Sequence, residues 1–280
     1  MRKPSSFSEQ RGYFSIVQNS GTTDYLSLAL LQAKSIKATQ KINRYAIAVD
    51  EQTKSLITDD HLKYFDYVVD IPWGDDSQDL EWKLANEWKV WWMSPFKETV
   101  KLDCDILFTR DVSHWWDIMC TREVCISTRI YDYRGDVPGN RKYRKLVDDN
   151  NLLDAYSGFT YFRYGNDSAK FYTYVKQIFK NWEVYRDHVL TNCRSDQPTT
   201  DEVYAIAALL LGEEKCYIPG SHMGFTHMKG AINGLSNDAD WTEYLISQLD
   251  GTKMMIGLHS QMYPVHYVTK SFGVEVLNEY

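Results

Sequence analysis

The chain has 280 residues, 44% of them hydrophobic and 25% charged, with a formal net charge of −7. That length suits one substantial domain over 1–280, and the balance is that of a globular protein rather than a disordered one. The acidity excludes the overall basic build of a protein that wraps nucleic acid, so any such role must rest on a local patch.

Taken in chain order, residues 13–17 (Tyr-Phe-Ser-Ile-Val) read as a short buried strand, followed by a polar turn. A helix is expected from about Asp24, because Leu26, Ala29, Leu30 and Ala33 recur at helical spacing and Thr23 or Asp24 suits an N-cap. Apolar runs at 45–49 and 67–70 read as the next two strands, so strand, helix and strand alternate as in a mainly parallel sheet. Residues 79–93 read as a Trp-rich helical segment carrying Lys83, and 99–109 as a strand with Asp103 and Asp105 in its middle. A strand at 124–127 follows, then a polar, tyrosine-rich loop over 129–151. Order resumes with a strand at 157–163 and helices at about 168–186 and 201–211, and the last 60 residues hold short elements and four of the seven histidines.

The five cysteines, at 104, 120, 125, 193 and 216, form neither a disulfide framework nor a paired-cysteine metal site, which points to a reducing, cytoplasmic setting. No apolar leader core precedes residue 11, and the longest apolar run, 205–211, is too short to cross a bilayer, so no membrane insertion is expected. The 9 Trp and 20 Tyr suit sugar-binding or base-binding clefts as well as a core.

The most informative segment is Lys101-Leu-Asp-Cys-Asp-Ile-Leu-Phe108. Aspartate is disfavoured inside strands and needs compensation there. At alternate positions the two carboxylates share one face, where both can meet a hard cation such as Mg²⁺ or Mn²⁺. The same pattern also suits a capped strand end with a surface ion pair.

The run from Ser94 to Asp117 resembles the aspartate-pair (DxD) region of glycosyltransferases of the GT-A fold, family 8 above all. Phe14-Ser-Ile-Val-Gln-Asn-Ser20 with Tyr25 is similar to that family's first nucleotide-binding turn, and Lys83 to a lysine ahead of its aspartate pair. Tyr156-Ser-Gly-Phe-Thr-Tyr-Phe162 is similar to the family's Asn-Ala-Gly segment, Thr200-Asp-Glu202 to its Asp-Gln or Asp-Glu motif, and His227-Met-Lys-Gly230 to the start of its C-terminal metal and diphosphate motif. Two departures are visible: Tyr-Ser-Gly replaces Asn-Ala-Gly, and no Lys-Pro-Trp follows His227.

The resemblance implies an α/β fold of GT-A type, with a mostly parallel central sheet flanked by helices and the aspartate pair at a strand end. It implies a nucleotide-sugar-binding half over 13–125 and an acceptor and C-terminal half over 126–280. It implies a UDP-sugar donor and a Mn²⁺ or Mg²⁺ ion on Asp103, Asp105 and His227, with His259 and His266 as the other candidate ligands. Asn19, Tyr25 and Asp50 would meet base and ribose, and Lys83, Ser157, Gly158, Lys229 and Gly230 the rest of the donor. Asp201 and Glu202 would act as general base or orient the acceptor, although an acidic pair opening a helix is also favoured by the helix dipole.

Residues 129–145 hold six basic side chains against two acidic ones, with Tyr131, Tyr133 and Tyr143 interleaved. Arg129, Arg134, Arg141, Lys142 and Arg144 with these tyrosines have the composition of a nucleic-acid groove, and equally of a solvated loop. The chain's build also resembles bacteriophage enzymes that glycosylate 5-hydroxymethylcytosine, with glucose-type or arabinose-type sugars, which implies double-stranded DNA as an acceptor. The other acceptor the pattern admits is a saccharide. A non-catalytic nucleotide-sugar or nucleic-acid binding protein is the reading from a different class.

Overall fold

A computed structural model describes residues 9–78 and 80–277. The segment read for a leader, through residue 8, lies outside them. Strands β1 (Glu9–Val17), β2 (Tyr45–Val49), β3 (Tyr67–Asp70) and β4 (Phe96–Leu102) run parallel to one another. Then come β5 (Ile106–Leu107), β6 (Val124–Ser127), β7 (Ile130–Tyr131) and β8 (Tyr156–Arg163). The main sheet has the order β3-β2-β1-β4-β8-β6, with β8 antiparallel to both its neighbours. This is the expected α/β architecture, a mainly parallel sheet between helices.

Alternation along the strands explains why both faces are covered. Tyr45, Ile47 and Val49 of β2 enter one apolar cluster, and Ala46 and Ala48 enter the other. The helix Tyr25–Thr39, capped by the Asp24 carboxylate on Ser27 N, packs Leu28, Leu31 and Ile36 into the first cluster. The helix Asn166–Lys180 brings Phe171, Val175 and Ile178 to the second, beside Val203 and Tyr204 of the helix Thr200–Leu211.

Four short strands form a second sheet over the carboxyl ends of the first. With β9 (Phe225–His227) and β13 (Val265–His266), its order is β5-β13-β9-β7, while β10 (Ser247–Asp250), β11 (Lys253–Ile256) and β12 (His259–Ser260) form a separate antiparallel sheet. The four-stranded sheet ties the segment after the aspartate pair to the C-terminal region, which closes with the helix Lys270–Leu277.

Four expectations are corrected. The strand expected over 99–109 ends at Leu102, and both aspartates stand in the turn before β5. The helix expected over 79–93 is, among the described residues 80–93, reduced to a turn at Glu87–Lys89 and the short helix Val90–Met93. Here Asn86 Oδ1 accepts from Asp76 N and Lys83 Nζ donates to Ser77 O, so the chain folds back on the preceding turn instead of winding. The loop expected over 129–151 contains β7 and the helix Lys145–Asp149, and the long helix expected over 168–186 is broken at Asn181.

Candidate active site

The aspartate turn is stitched down from three sides. Gln32 Nε2 donates to Asp103 O (2.7 Å) and Ile106 O (3.0 Å), Asp103 N donates to Gly158 O (3.0 Å), and Tyr267 N donates to Asp105 O (3.0 Å). With its backbone spent this way, the turn presents both carboxylates together. His266 pairs in register with Ile106 on one side and His227 on the other, which brings an imidazole over the turn.

One ligating atom each from Asp103, Asp105 and His266 lie within 4.8 Å of one another. His266 Nε2 is 3.1 Å from Asp105 Oδ2, and the Lys270 ammonium closes on the same oxygen. Asp103 Oδ1 is 2.8 Å from Lys101 Nζ, which is also 3.0 Å from Glu87 Oε2. Burial would push Asp105 up, but His266 and Lys270 hold its carboxyl far below the usual range. Burial would lower His266, yet Asp105 and then Asp103 raise it. His227 is pushed well below the ordinary imidazole range by burial and by the His266 ring, 4.7 Å away between centroids.

Two carboxylates and an imidazole make a donor set suited to a small divalent cation. Two further features fit. His266 Nδ1 is buried without a partner. A Cβ added to Gly158 would fall 2.9 Å from Asp103 Oδ2 and 3.7 Å from His266 Nδ1, so this glycine keeps open the space between the two ligands. Among the described residues, then, the histidine grouped with the aspartates is His266, and the expected third ligand His227 stands beside it. His266, one of the two other candidate ligands, is contributed by β13 from the far end of the chain.

Above this turn lies a cavity of about 890 Å³ lined by Tyr25, Lys83, His227, Lys229 and Gly230 as well as the aspartates. A smaller one of about 180 Å³ shares Asp103, His227 and His266 with it and adds Ser157, Gly158, Thr200 and Asp201. Thr200 Oγ1 in this smaller space is buried and has no partner. Asp201 Oδ1 accepts from Ser157 N (2.7 Å) and Ser157 Oγ (2.8 Å), and its Oδ2 pairs with Arg144 Nη1 (2.8 Å). Asp50 is apart from both, in a cavity of about 460 Å³ that Lys83 also lines.

Other expected residues are engaged elsewhere. Asn19 holds its own loop, accepting from Leu26 N and donating to Asp24. Glu202 accepts from Thr199 N at 2.8 Å, closing a capping box at the start of its helix. Arg144 is buried, and its guanidinium serves Asp154, Asp201 and Ala155 O. Arg141 pairs with Asp148 and Asp154, Arg134 with Asp132, and Lys145 with Asp149. Tyr131 is buried and stacked on Tyr263 with centroids 4.1 Å apart, Tyr133 lies under Arg134, and Arg129 meets His222. Lys142 is exposed. Four of the tract's six basic side chains are thus paired with carboxylates, three of them with carboxylates beyond residue 145. No helix among the described residues is long and apolar enough to cross a membrane.

No protein-family profile and no curated protein matches the chain. Among solved structures it is similar to mouse xyloside xylosyltransferase 1 in its apo form, with 8% identity, 78% of this chain and 87% of that one covered, and a TM-score of 0.49. It is also similar to the apo WbbM bifunctional glycosyltransferase, with 12% identity, 85% and 42% coverage and a TM-score of 0.47, so it spans less than half of that protein. A third is 4-diphosphocytidyl-2C-methyl-D-erythritol synthase from Anaerococcus prevotii, with 13% identity, 76% and 90% coverage and a TM-score of 0.35. Likeness at these scores leaves the chemistry to be read from the site's own residues.

Proposed function

We propose that the protein is a glycosyltransferase that moves a sugar from a nucleotide sugar, of the UDP class by its motif resemblance, to an acceptor hydroxyl. The observation that carries this reading is the convergence of Asp103, Asp105 and His266 within 4.8 Å at the edge of an open cavity of about 890 Å³. These three residues would hold Mn²⁺ or Mg²⁺, which supplies positive charge against a diphosphate leaving group. Lys229 and Lys270 line the same cavity and offer ammonium groups to the phosphates.

The small adjoining space suits the transferred sugar. Buried polar atoms seek partners, and Thr200 Oγ1 and His266 Nδ1 lack them there. Asp201 has both oxygens committed, to Ser157 and to Arg144, so it orients hydroxyl groups rather than serving as a free base. For the acceptor, the pairing of Arg134, Arg141, Arg144 and Lys145 with nearby carboxylates favours a saccharide over DNA, whose binding draws on unpaired cations. All five cysteines are free thiols, which supports a reducing, cytoplasmic site of action.

The test is hydrolysis of UDP-sugars by the protein with and without Mn²⁺, beside a thermal-shift panel of nucleotide sugars. Manganese-dependent hydrolysis that disappears in Asp105→Ala supports the reading. Hydrolysis surviving in that variant, or no stabilisation by any nucleotide sugar with Mn²⁺, overturns it. A gel shift on 5-hydroxymethylcytosine DNA at low salt would restore the DNA acceptor.

A further inference from the structure

We propose that Lys101, braced by Glu87, is a positioning residue that aims Asp103 at the cation space; the inference rests on the divalent-ion reading above. The two aspartates are fixed differently. Asp105 is nearly enclosed, its side chain 5% exposed, and it is gripped by His266 and Lys270. Asp103 is 31% exposed and stands just past the end of β4, where an ungripped carboxylate would rotate among solvated orientations.

Lys101 removes that freedom. It precedes Asp103 by two residues, and its side chain is 1% exposed. A buried ammonium is costly unless it is paired and hydrogen-bonded. Lys101 is met from above by Asp103 Oδ1 at 2.8 Å and from the other side by Glu87 Oε2 at 3.0 Å, Glu87 being 7% exposed. With Oδ1 tied to Lys101, it is Oδ2 that faces the gap kept open by Gly158, next to His266 Nδ1.

Charge explains why Glu87 is needed. A lysine alone would neutralise Asp103 and repel a cation. Glu87 cancels that ammonium, so the brace adds no net charge and Asp103 keeps its own for the ion. The arrangement directs a ligand without weakening it. Partners that orient metal ligands commonly change affinity by about 10–100-fold when removed.

The experiment measures Mn²⁺ binding by electron paramagnetic resonance, using Mn²⁺ alone and Mn²⁺ with UDP, together with metal-free melting temperature. The charge-neutral double variant Glu87→Gln/Lys101→Met is expected to bind Mn²⁺ at least about tenfold more weakly while melting within a few degrees of wild type. Wild-type affinity in the folded double variant overturns the proposal. Should the double variant not fold, Glu87→Gln alone decides. Its unopposed ammonium is expected to weaken Mn²⁺ binding, and unchanged affinity overturns the proposal equally. A wild-type protein that takes up no Mn²⁺ even with UDP removes the divalent-ion reading and this proposal with it, and that failure is distinguishable because it appears before any substitution.

Discussion

At the turn through Asp103 and Asp105, two carboxylates and an imidazole converge on one space, while their counter-charges Lys101 and Lys270 come from a buried strand position and from the last helix. In the tract from 129 to 145, Arg134, Arg141 and Lys145 meet carboxylates within a few residues of themselves, and Arg144 adds Asp201 from a later helix. Both regions are dense in charge. The first aims its charge outward at a cavity and the second consumes it locally, so the number of charged residues in a segment says little about its partners. What matters is whether the paired groups still line a cavity that a ligand can enter, as Asp103 and Asp105 do.

The comparison breaks if the aspartate turn proves dispensable. Asp105→Asn should reduce sugar transfer by at least about 10³-fold, the upper end for losing one preorganised electrostatic contact, measured as kcat/KM on the best donor found. Near-normal turnover would mean that the cluster is structural. In the other region, Arg144→Ala leaves Asp154 and Asp201 without their buried partner. A loss of about 3 kcal/mol is expected, read as a lower urea midpoint at unchanged m. If the midpoint holds, Arg144 is not the internal clamp described and phosphate binding returns as its role.

Gly158→Ala sharpens the picture at the turn itself. Its methyl group would sit 2.9 Å from Asp103 Oδ2, so weaker Mn²⁺ uptake with little loss of metal-free stability is expected in calorimetric titration. Glu202→Gln should cost no more than about 1 kcal/mol, through the helix cap, with transfer nearly unchanged, and a large loss of kcat would reinstate Glu202 beside the reaction. Smallest of all, Lys142→Gln on the exposed tract should shift stability by less than about 0.5 kcal/mol and leave transfer to a saccharide untouched. A marked loss confined to DNA acceptors would argue for the nucleic-acid reading.

Much of the frame was legible. The strands at 45–49 and 67–70 and the helix after Asp24 follow from short-range periodicity and a cap, signals that lie within a few residues. The reduction of the 79–93 segment was not, because it depends on Asn86 and Lys83 bonding to a turn ten and six residues away. At the site, Lys101 had a signal, a charged residue alternating with Asp103 along a strand. Lys270 had a weaker one, four residues after His266. Glu87 had none, since nothing local marks a carboxylate that will face a lysine across a core.

By itself the amino-acid order determined the α/β class and the strand-and-helix rhythm of the first half, and it marked the aspartate pair as the candidate site, because each depends on neighbours within a turn or two of chain. Only the tertiary structure decided that His266 rather than His227 joins the pair, that Arg144 is an internal clamp, and that Lys101 and Glu87 stand behind Asp103. Those choices are made by strand register and burial between segments as near as 87 and 101 and as far apart as 106 and 266, where the energy of pairing depends on distance in space and not along the chain.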